Sequence, residues 1–227
     1  MHADAARPGP APIRIFIIDD HPLVRRGLTQ LFAQEPDMTV CGEADNGPEA
    51  LRRIAELAPS VCTVDLSLRD SSGMELVKSL HEMHPRLPLV VLSMHEEAYY
   101  AERVLRSGAC AYVMKDEPSE NLIQAIRKAV VGELYVSARM SAKLLAKAVG
   151  RPEREAGLDV DGLSDREIEV LEMIGRGQGT RQIAGALHIS LKTVEAHRDH
   201  IKRKLKLGDA NDLVHYAVRW VLQERPT

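Results

Sequence analysis

Aromatic residues are scarce in this 227-residue chain, with two Phe, one Trp and five Tyr. Any core must therefore be largely aliphatic. Cysteine is nearly absent too. Cys41, Cys62 and Cys110 are odd in number and lack CxxC or Cys/His spacing, which excludes a disulfide framework and a zinc site. Each lies in or beside a strand-like run, so buried, reduced thiols in a cytoplasmic protein are expected. No apolar run approaches the roughly 18 residues needed to cross a bilayer, so no membrane partner is expected. Residues 1–12 are rich in Ala and Pro and lack the apolar stretch of a secretory signal, and they read as a disordered lead-in. Internal repeats and long low-complexity segments are also missing.

What is present is alternation. Short β-branched runs alternate with helical patterns from residue 13 to 132, the pattern of a parallel sheet with crossover helices. The expected helices are about 22–34, 46–57, 73–83, 96–106 and 119–131. Pro22, Pro48 and Pro118 mark helix starts and Gly108 marks a helix end. Five such units predict an α/β fold, a flavodoxin-like, doubly wound, five-stranded parallel sheet. Residues 137–149 form one more helical stretch, with Ala138, Leu144, Leu145, Ala148 and Val149 near one face. The breaker-rich segment 150–157 follows, so residues 133–162 read as a linker helix and loop. Residues 163–227 then predict a small all-α domain.

Four strand ends carry polar residues. Asp19 and Asp20 close the run 13–18, Asp65 closes 61–64, Ser93 closes 89–92, and Lys115 follows 110–114. Ligands bind at the carboxyl ends of strands in such sheets. Carboxylates placed together repel and are costly to bury unless something neutralises them. Mg2+ would do so through oxygen ligands while keeping water and phosphate oxygens. Asp65 could then act as a nucleophile toward a phosphoryl donor, Lys115 would offset phosphate charge, and Ser93 would donate a hydrogen bond. The plainer reading of one strand-end acid is a helix N-cap. Four polar positions in register on four strands favour the phosphoryl site. His21, His81, His84 and His95 lack metal spacing and read as surface or edge residues, with His95 near the pocket.

The last 65 residues differ in charge. They hold eleven Lys and Arg against nine Asp and Glu, in a chain of net charge −3. Ser164 and Glu167 form a capping box, Thr180 is the expected cap of the second helix, His188-Ile189 turns, and Ser190 caps the third. Gly208-Asp209 breaks before the fourth. Two short helices around a tight turn, the second basic, are the pattern of a helix-turn-helix on double-stranded DNA. In the third helix Val194, Ile201 and Leu205 form an inward stripe. The opposite face carries Lys192, Glu195, Ala196, Asp199, Lys202 and Arg203. His197 falls near the inner stripe. The fourth helix offers Leu213, Val214, Ala217, Val218 and Val221, either to pair two copies or to close the small core.

Residues 13–132 resemble the receiver domain of two-component response regulators, through Ile17 to Pro22, Val64-Asp65-Leu66, Leu92-Ser93 and Gly108 to Asp116. Residues 163–217 resemble the LuxR-type DNA-binding domain, through Leu163 to Glu167, Gln182-Ile183-Ala184, Ile189-Ser190, Thr193 to Arg198, Lys204-Leu205 and Leu213 to Ala217. Together they resemble the NarL/FixJ class. The resemblance implies Asp65 as phosphoacceptor, Asp19, Asp20, Asp65 and the Ser67 carbonyl around Mg2+, and Ser93 and Lys115 reading the phosphate. It makes Ser93 and Tyr112 switch residues, although a Tyr at a strand end is often plain core with its hydroxyl at the surface. Glu195, Ala196 and Asp199 take the base-reading positions, where a carboxylate can accept from cytosine N4. Lys192, Thr193, Arg198, Lys202 and Arg203 lie among the DNA-facing positions, and Thr180 and Arg181 add contacts from the second helix. The implied partners are a sensor histidine kinase or small phosphodonor, DNA, a second copy of the chain when active, and RNA polymerase.

The chain departs from the resemblance at Arg69, where the family commonly has Pro. That departure keeps an alternative open, a DNA-binding regulator whose receiver is a phosphorylation-independent dimerisation module. A phosphohydrolase of the haloacid dehalogenase type would need an acid at Ser67, so a regulator and not an enzyme is expected.

Overall fold

The computed structural model describes residues 11–68, 72–149, 160 and 162–223. Most of the predicted lead-in, Arg69 and the breaker segment 150–157 lie outside the described residues. The chain divides into two compact units, Met1–Ala142 and Lys143–Thr227.

The first unit holds strands β1 (Ile13–Ile18), β2 (Met38–Ala44), β3 (Val61–Asp65), β4 (Leu89–Ser93) and β5 (Ala111–Met114), with helices α1 (Pro22–Ala33), α2 (Gly47–Leu57), α3 (Gly73–Met83), α4 (Glu97–Arg106) and α5 (Ser119–Val130) between and after them. All strand pairs are parallel and the order is β2-β1-β3-β4-β5, the flavodoxin-like doubly wound arrangement. Strands β3 and β4 are buried along their whole length, as parallel strands covered on both faces must be. Alternate residues of β1 face opposite ways. Ile15 and Ile17 join a core with Phe32 of α1 and Leu122, Ile123 and Ile126 of α5. On the other face, the Arg53 guanidinium of α2 lies 5.8 Å from the centre of the Phe16 ring.

Local chemistry sets the helix starts. Pro22 stands in the first turn of α1. The Asn46 side chain accepts from Glu49 N at 2.9 Å and Pro48 follows it into α2. Helix α3 begins pressed against the end of β3, where a Cβ on Gly73 would lie 2.4 Å from both Asp65 O and Leu66 Cα. Only glycine allows that approach. The cysteines correct one expectation: Cys62 is buried, and burial pushes its thiol pKa up, but Cys41 and Cys110 are half-buried.

The chain after α5 folds back on this unit. Tyr135 bridges to Ala111 at the edge of β5, and its carbonyl accepts from Tyr112 N at 3.0 Å. Ser137 N donates to Glu97 Oε1 at 2.7 Å. Helix α6 (Ala138–Ala148) follows, and Met140 is the residue it buries, while Leu145 and Val149 are exposed. Residues 133–140, counted with the linker in the sequence reading, thus pack on the first unit.

The second unit holds helices α7 (Asp165–Gly175), α8 (Thr180–Ala186), α9 (Leu191–Lys204) and α10 (Ala210–Gln223). The capping box at Ser164 and Glu167 forms reciprocally, at 3.4 and 2.7 Å. Ser190 caps α9, accepting from Thr193 N at 3.1 Å. The cap of α8 is Gly179, not Thr180. Gln182 Oε1 accepts from Gly179 N at 2.9 Å, which satisfies that donor and leaves Thr180 as the first helical residue. His188 makes the turn at φ +52°.

Ile168, Leu171, Ile174, Ile183, Val194 and Ile201 are buried here, and Leu205 is only half-buried. Leu213 and Ala217 of α10 are buried as well, with Tyr216 and Trp220, so this part of the expected apolar face closes the domain core. Val214 remains exposed and Val218 and Val221 half-buried. Backbones of α7 and α10 touch, since a Cβ on Gly175 would lie 2.4 Å from Ala217 O.

Candidate functional site

The chain reverses direction across the sheet between β1 and β3, and the acidic residues gather there. Asp19, Asp20, Asp65 and Ser93 are all at least nine-tenths buried. Lys115, reaching from the end of β5, donates from Nζ to Asp19 Oδ2 and to Asp65 Oδ2, both at 2.7 Å. Ser67 N donates to Asp65 Oδ1 at 3.1 Å. His21 N donates to Asp19 Oδ1 at 2.8 Å, and its ring Nδ1 lies 2.6 Å from Asp20 Oδ1. The sequence reading took His21 as a surface or edge residue; its half-exposed ring also borders the pocket, and its position directly after two acids was the available signal.

Electrostatics in the pocket are opposed. Burial raises the Asp65 pKa above the ordinary carboxylate value, and the Lys115 charge offsets part of this. Burial disfavours the Lys115 charge, but Asp65 and Asp19 outweigh it and its pKa is raised. One ammonium still faces three carboxylates. Ligand atoms of Asp19, Asp20, His21 and Asp65 lie within 4.8 Å of one another. Buried hard oxygens with a deficit of positive charge fit Mg2+, with room for water and phosphate oxygens in its octahedron.

A second group of contacts ties the neighbouring loops together. Ser93 Oγ accepts from His95 N at 3.0 Å, which leaves its O–H able to donate. His95 Nε2 lies 3.2 Å from Ser67 Oγ, and its ring packs on Tyr100 with centroids 4.7 Å apart. Tyr112 is buried and its hydroxyl donates to His95 O at 2.7 Å. His95 therefore connects Ser93, Ser67 and Tyr112 around Asp65.

The second unit presents α9 on its surface. Lys192, Thr193, Glu195, Ala196, Asp199 and Arg203 are exposed, and Arg198 and Lys202 are half-buried. Asp199 Oδ1 pairs with Lys202 Nζ at 2.9 Å, which holds its carboxyl below the ordinary range. Thr180 Oγ1 donates to Glu195 Oε1 at 2.7 Å, a contact between α8 and α9 that sequence spacing could not show. Inside, the buried Glu167 caps α7 and also accepts from Lys204 Nζ at 2.6 Å. Burial and the Arg166 charge push the half-buried His197 ring's pKa down.

Known proteins resemble both halves of the chain. The model of the response regulator receiver domain matches residues 15–127, and that of the LuxR family of bacterial regulatory proteins matches residues 161–217. The oxygen regulatory protein NreC of Staphylococcus aureus is 36% identical over 216 residues, covering 93% of this chain and 100% of that protein. The RcsB response regulator of Salmonella typhimurium shares the fold at 24% identity, with TM-score 0.64 over 93% of this chain and 99% of that one. RcsB of Salmonella enterica serovar Typhimurium bound to promoter P1flhDC with the phosphomimetic BeF3− is 25% identical, with TM-score 0.61 over 91% and 98%.

The chain belongs to the two-component response regulators of the NarL/FixJ class, with a receiver domain and a LuxR-type helix-turn-helix domain. As such it is a transcription regulator of a two-component system. Receivers typically bind Mg2+ through acidic residues and take phosphate from a donor such as a histidine kinase, and the LuxR-type domain implies DNA binding. Among the described residues no helix is long and apolar enough to cross a membrane.

Proposed function

We propose that phosphorylation of Asp65 controls how this chain binds DNA. The carrying observation is the convergence of Asp19, Asp20, Asp65 and Lys115 at the topological switch point. An Asp65 carboxylate oxygen attacks phosphorus, forming an O–P bond. The bond from phosphorus to the histidine kinase's phosphohistidine or to an acyl phosphate breaks, and its electron pair leaves with the donor. Asp19, Asp20, Asp65 and the Ser67 carbonyl would hold Mg2+, which when bound screens charge on the phosphoryl oxygens. Lys115 then exchanges its bond to Asp65 for one to phosphate, and Ser93 donates its O–H there.

Such a move would pull on His95, whose amide Ser93 holds and whose carbonyl Tyr112 holds. That makes Ser93 and Tyr112 the switch residues. Residues 13–132 act as the receiver, 133–162 as the connection and 163–227 as the DNA-binding part. In the cytoplasm the phosphorylated chain pairs as a homodimer, places α9 of each copy in a major groove and meets RNA polymerase there. Half-sites about 10 base pairs apart follow from one helical turn. Lys192, Arg198, Lys202 and Arg203 contact phosphates with Thr193 beside them on the DNA-facing side, while Glu195, Ala196 and Asp199 face bases. Burying three carboxylates is too costly for a receiver that only dimerises, which favours this reading over the phosphorylation-independent one.

Asp65→Asn should abolish labelling by a radioactive acyl phosphate with Mg2+, because the amide is nearly isosteric but not nucleophilic. Label that persists on another residue would overturn the assignment.

A further inference from the structure

We propose that Thr180 is a positioning residue for base selection, and that it fixes the Glu195 carboxylate to accept from the exocyclic amine of a cytosine. This rests on the DNA-binding reading above. Exposed Glu side chains ordinarily sample many rotamers, and ordering one on a partner costs free energy. Here the ordering is already present. Thr180, at the start of α8, donates its hydroxyl to Glu195 Oε1 at 2.7 Å across fifteen residues of sequence. Arg198 Nε stands 3.7 Å from Oε2, too far to take it as a hydrogen-bond acceptor. That second oxygen keeps its lone pairs while Oε1 is held.

The other acid on this face is arranged differently. Asp199 is paired with Lys202 at 2.9 Å, so its charge is offset within its own helix. The two acids thus divide: Glu195 is held by a neutral hydroxyl with Arg198 at the looser 3.7 Å, while Asp199 is closely paired with a cation. A carboxylate in the major groove needs a donor, which only the amines of cytosine and adenine provide. Adenine sets its N7 acceptor beside that amine, where it would face the carboxylate. Cytosine offers its amine beside a C–H, so cytosine is selected. Thr180 itself then makes no base contact and acts through Glu195.

A binding selection from a randomised duplex pool tests this, with the full chain, an acyl phosphate and Mg2+. Parent protein should enrich cytosine at one position in each half-site. Thr180→Val should lower that preference about tenfold, which corresponds to about 1.4 kcal/mol. It should do so at the same base pair as Glu195→Ala, and the double variant should lose no more than Glu195→Ala alone. Thr180→Ser, which keeps the hydroxyl, should retain the preference. A Thr180→Val protein that weakens equally on all sequences would make Thr180 a phosphate contact and overturn the proposal, as would a shift at a different base pair. A parent protein that selects no sequence would instead overturn the DNA-binding reading itself.

Discussion

The two charged regions of this molecule are built on opposite terms. In the receiver, Asp19 and Asp65 are almost wholly buried and share one cation, so their geometry is fixed by the cost of leaving any member unpaired. On α9 the charges are mostly exposed and their pairings are short-range, as in Asp199 with Lys202. Water can replace such partners at little cost, so the arrangement is tuned to what docks on it. A buried cluster announces its chemistry by its existence. An exposed face announces a partner only when a contact holds a side chain in place, as Thr180 holds Glu195.

The largest expected effect removes the shared cation. Lys115→Ala leaves Asp19 and Asp65 buried without it and should cost the receiver about 3–5 kcal/mol. Millimolar Mg2+ should restore more stability to this variant than to the parent, read as the shift of the receiver transition in calorimetry. Equal shifts in both proteins would mean that the carboxylates do not share one charge deficit.

Backbone contact comes next. Gly175→Ala places a methyl group 2.4 Å from Ala217 O, which backbone cannot yield cheaply. A loss of about 1–3 kcal/mol is expected in the DNA-binding unit. Trp220, the single tryptophan and 3% exposed, reports that unit alone by fluorescence during denaturation. Gly73→Ala should instead disturb the Asp65 loop and slow phosphoryl labelling, with the Trp220 transition unmoved. A change in the Trp220 transition would break the separation between the two regions.

Acid should weaken the DNA-binding unit in two stages. Burial lowers the His197 pKa, so the folded state prefers the neutral ring, and stability declines as pH falls through the ordinary histidine range. Burial alone would raise the Glu167 pKa, but bonds from Lys204 and Ser164 outweigh it and lower it. Its contribution is complete above the ordinary carboxylate range and is lost as pH falls through the lowered folded value. Glu167→Gln should remove the lower stage and leave the upper one, followed by Trp220 fluorescence against pH. An unchanged lower stage would remove Glu167 as its source.

The smallest effect is expected at the receiver surface. Arg127 pairs with Asp37 and Glu35 at 2.8 and 2.7 Å, but Arg127 is exposed and the two acids are only half-buried. Arg127→Ala should cost under about 1 kcal/mol and less still in high salt. A loss as large as that of Lys115→Ala would erase the contrast between buried and exposed pairs.

Much of this was legible in the chain. β-branched runs ended by Asp20, Asp65, Ser93 and Lys115 dictate parallel strands and place those residues at one edge, because a parallel sheet aligns its carboxyl ends. Ser164 with Glu167, and Ser190, mark helix starts because capping is chemistry between neighbours in sequence. Tertiary structure alone decided the rest. Packing of Gly179 and Gln182 made Thr180 the first residue of α8 and brought its hydroxyl to Glu195. It carried His21 to the rim of the pocket, tied His95 to Ser67, turned Leu213 and Ala217 into core, and gave Glu167 a second partner in Lys204. Contacts between elements depend on how helices seat against one another, and periodicity fixes which face is buried but not which atoms meet across it.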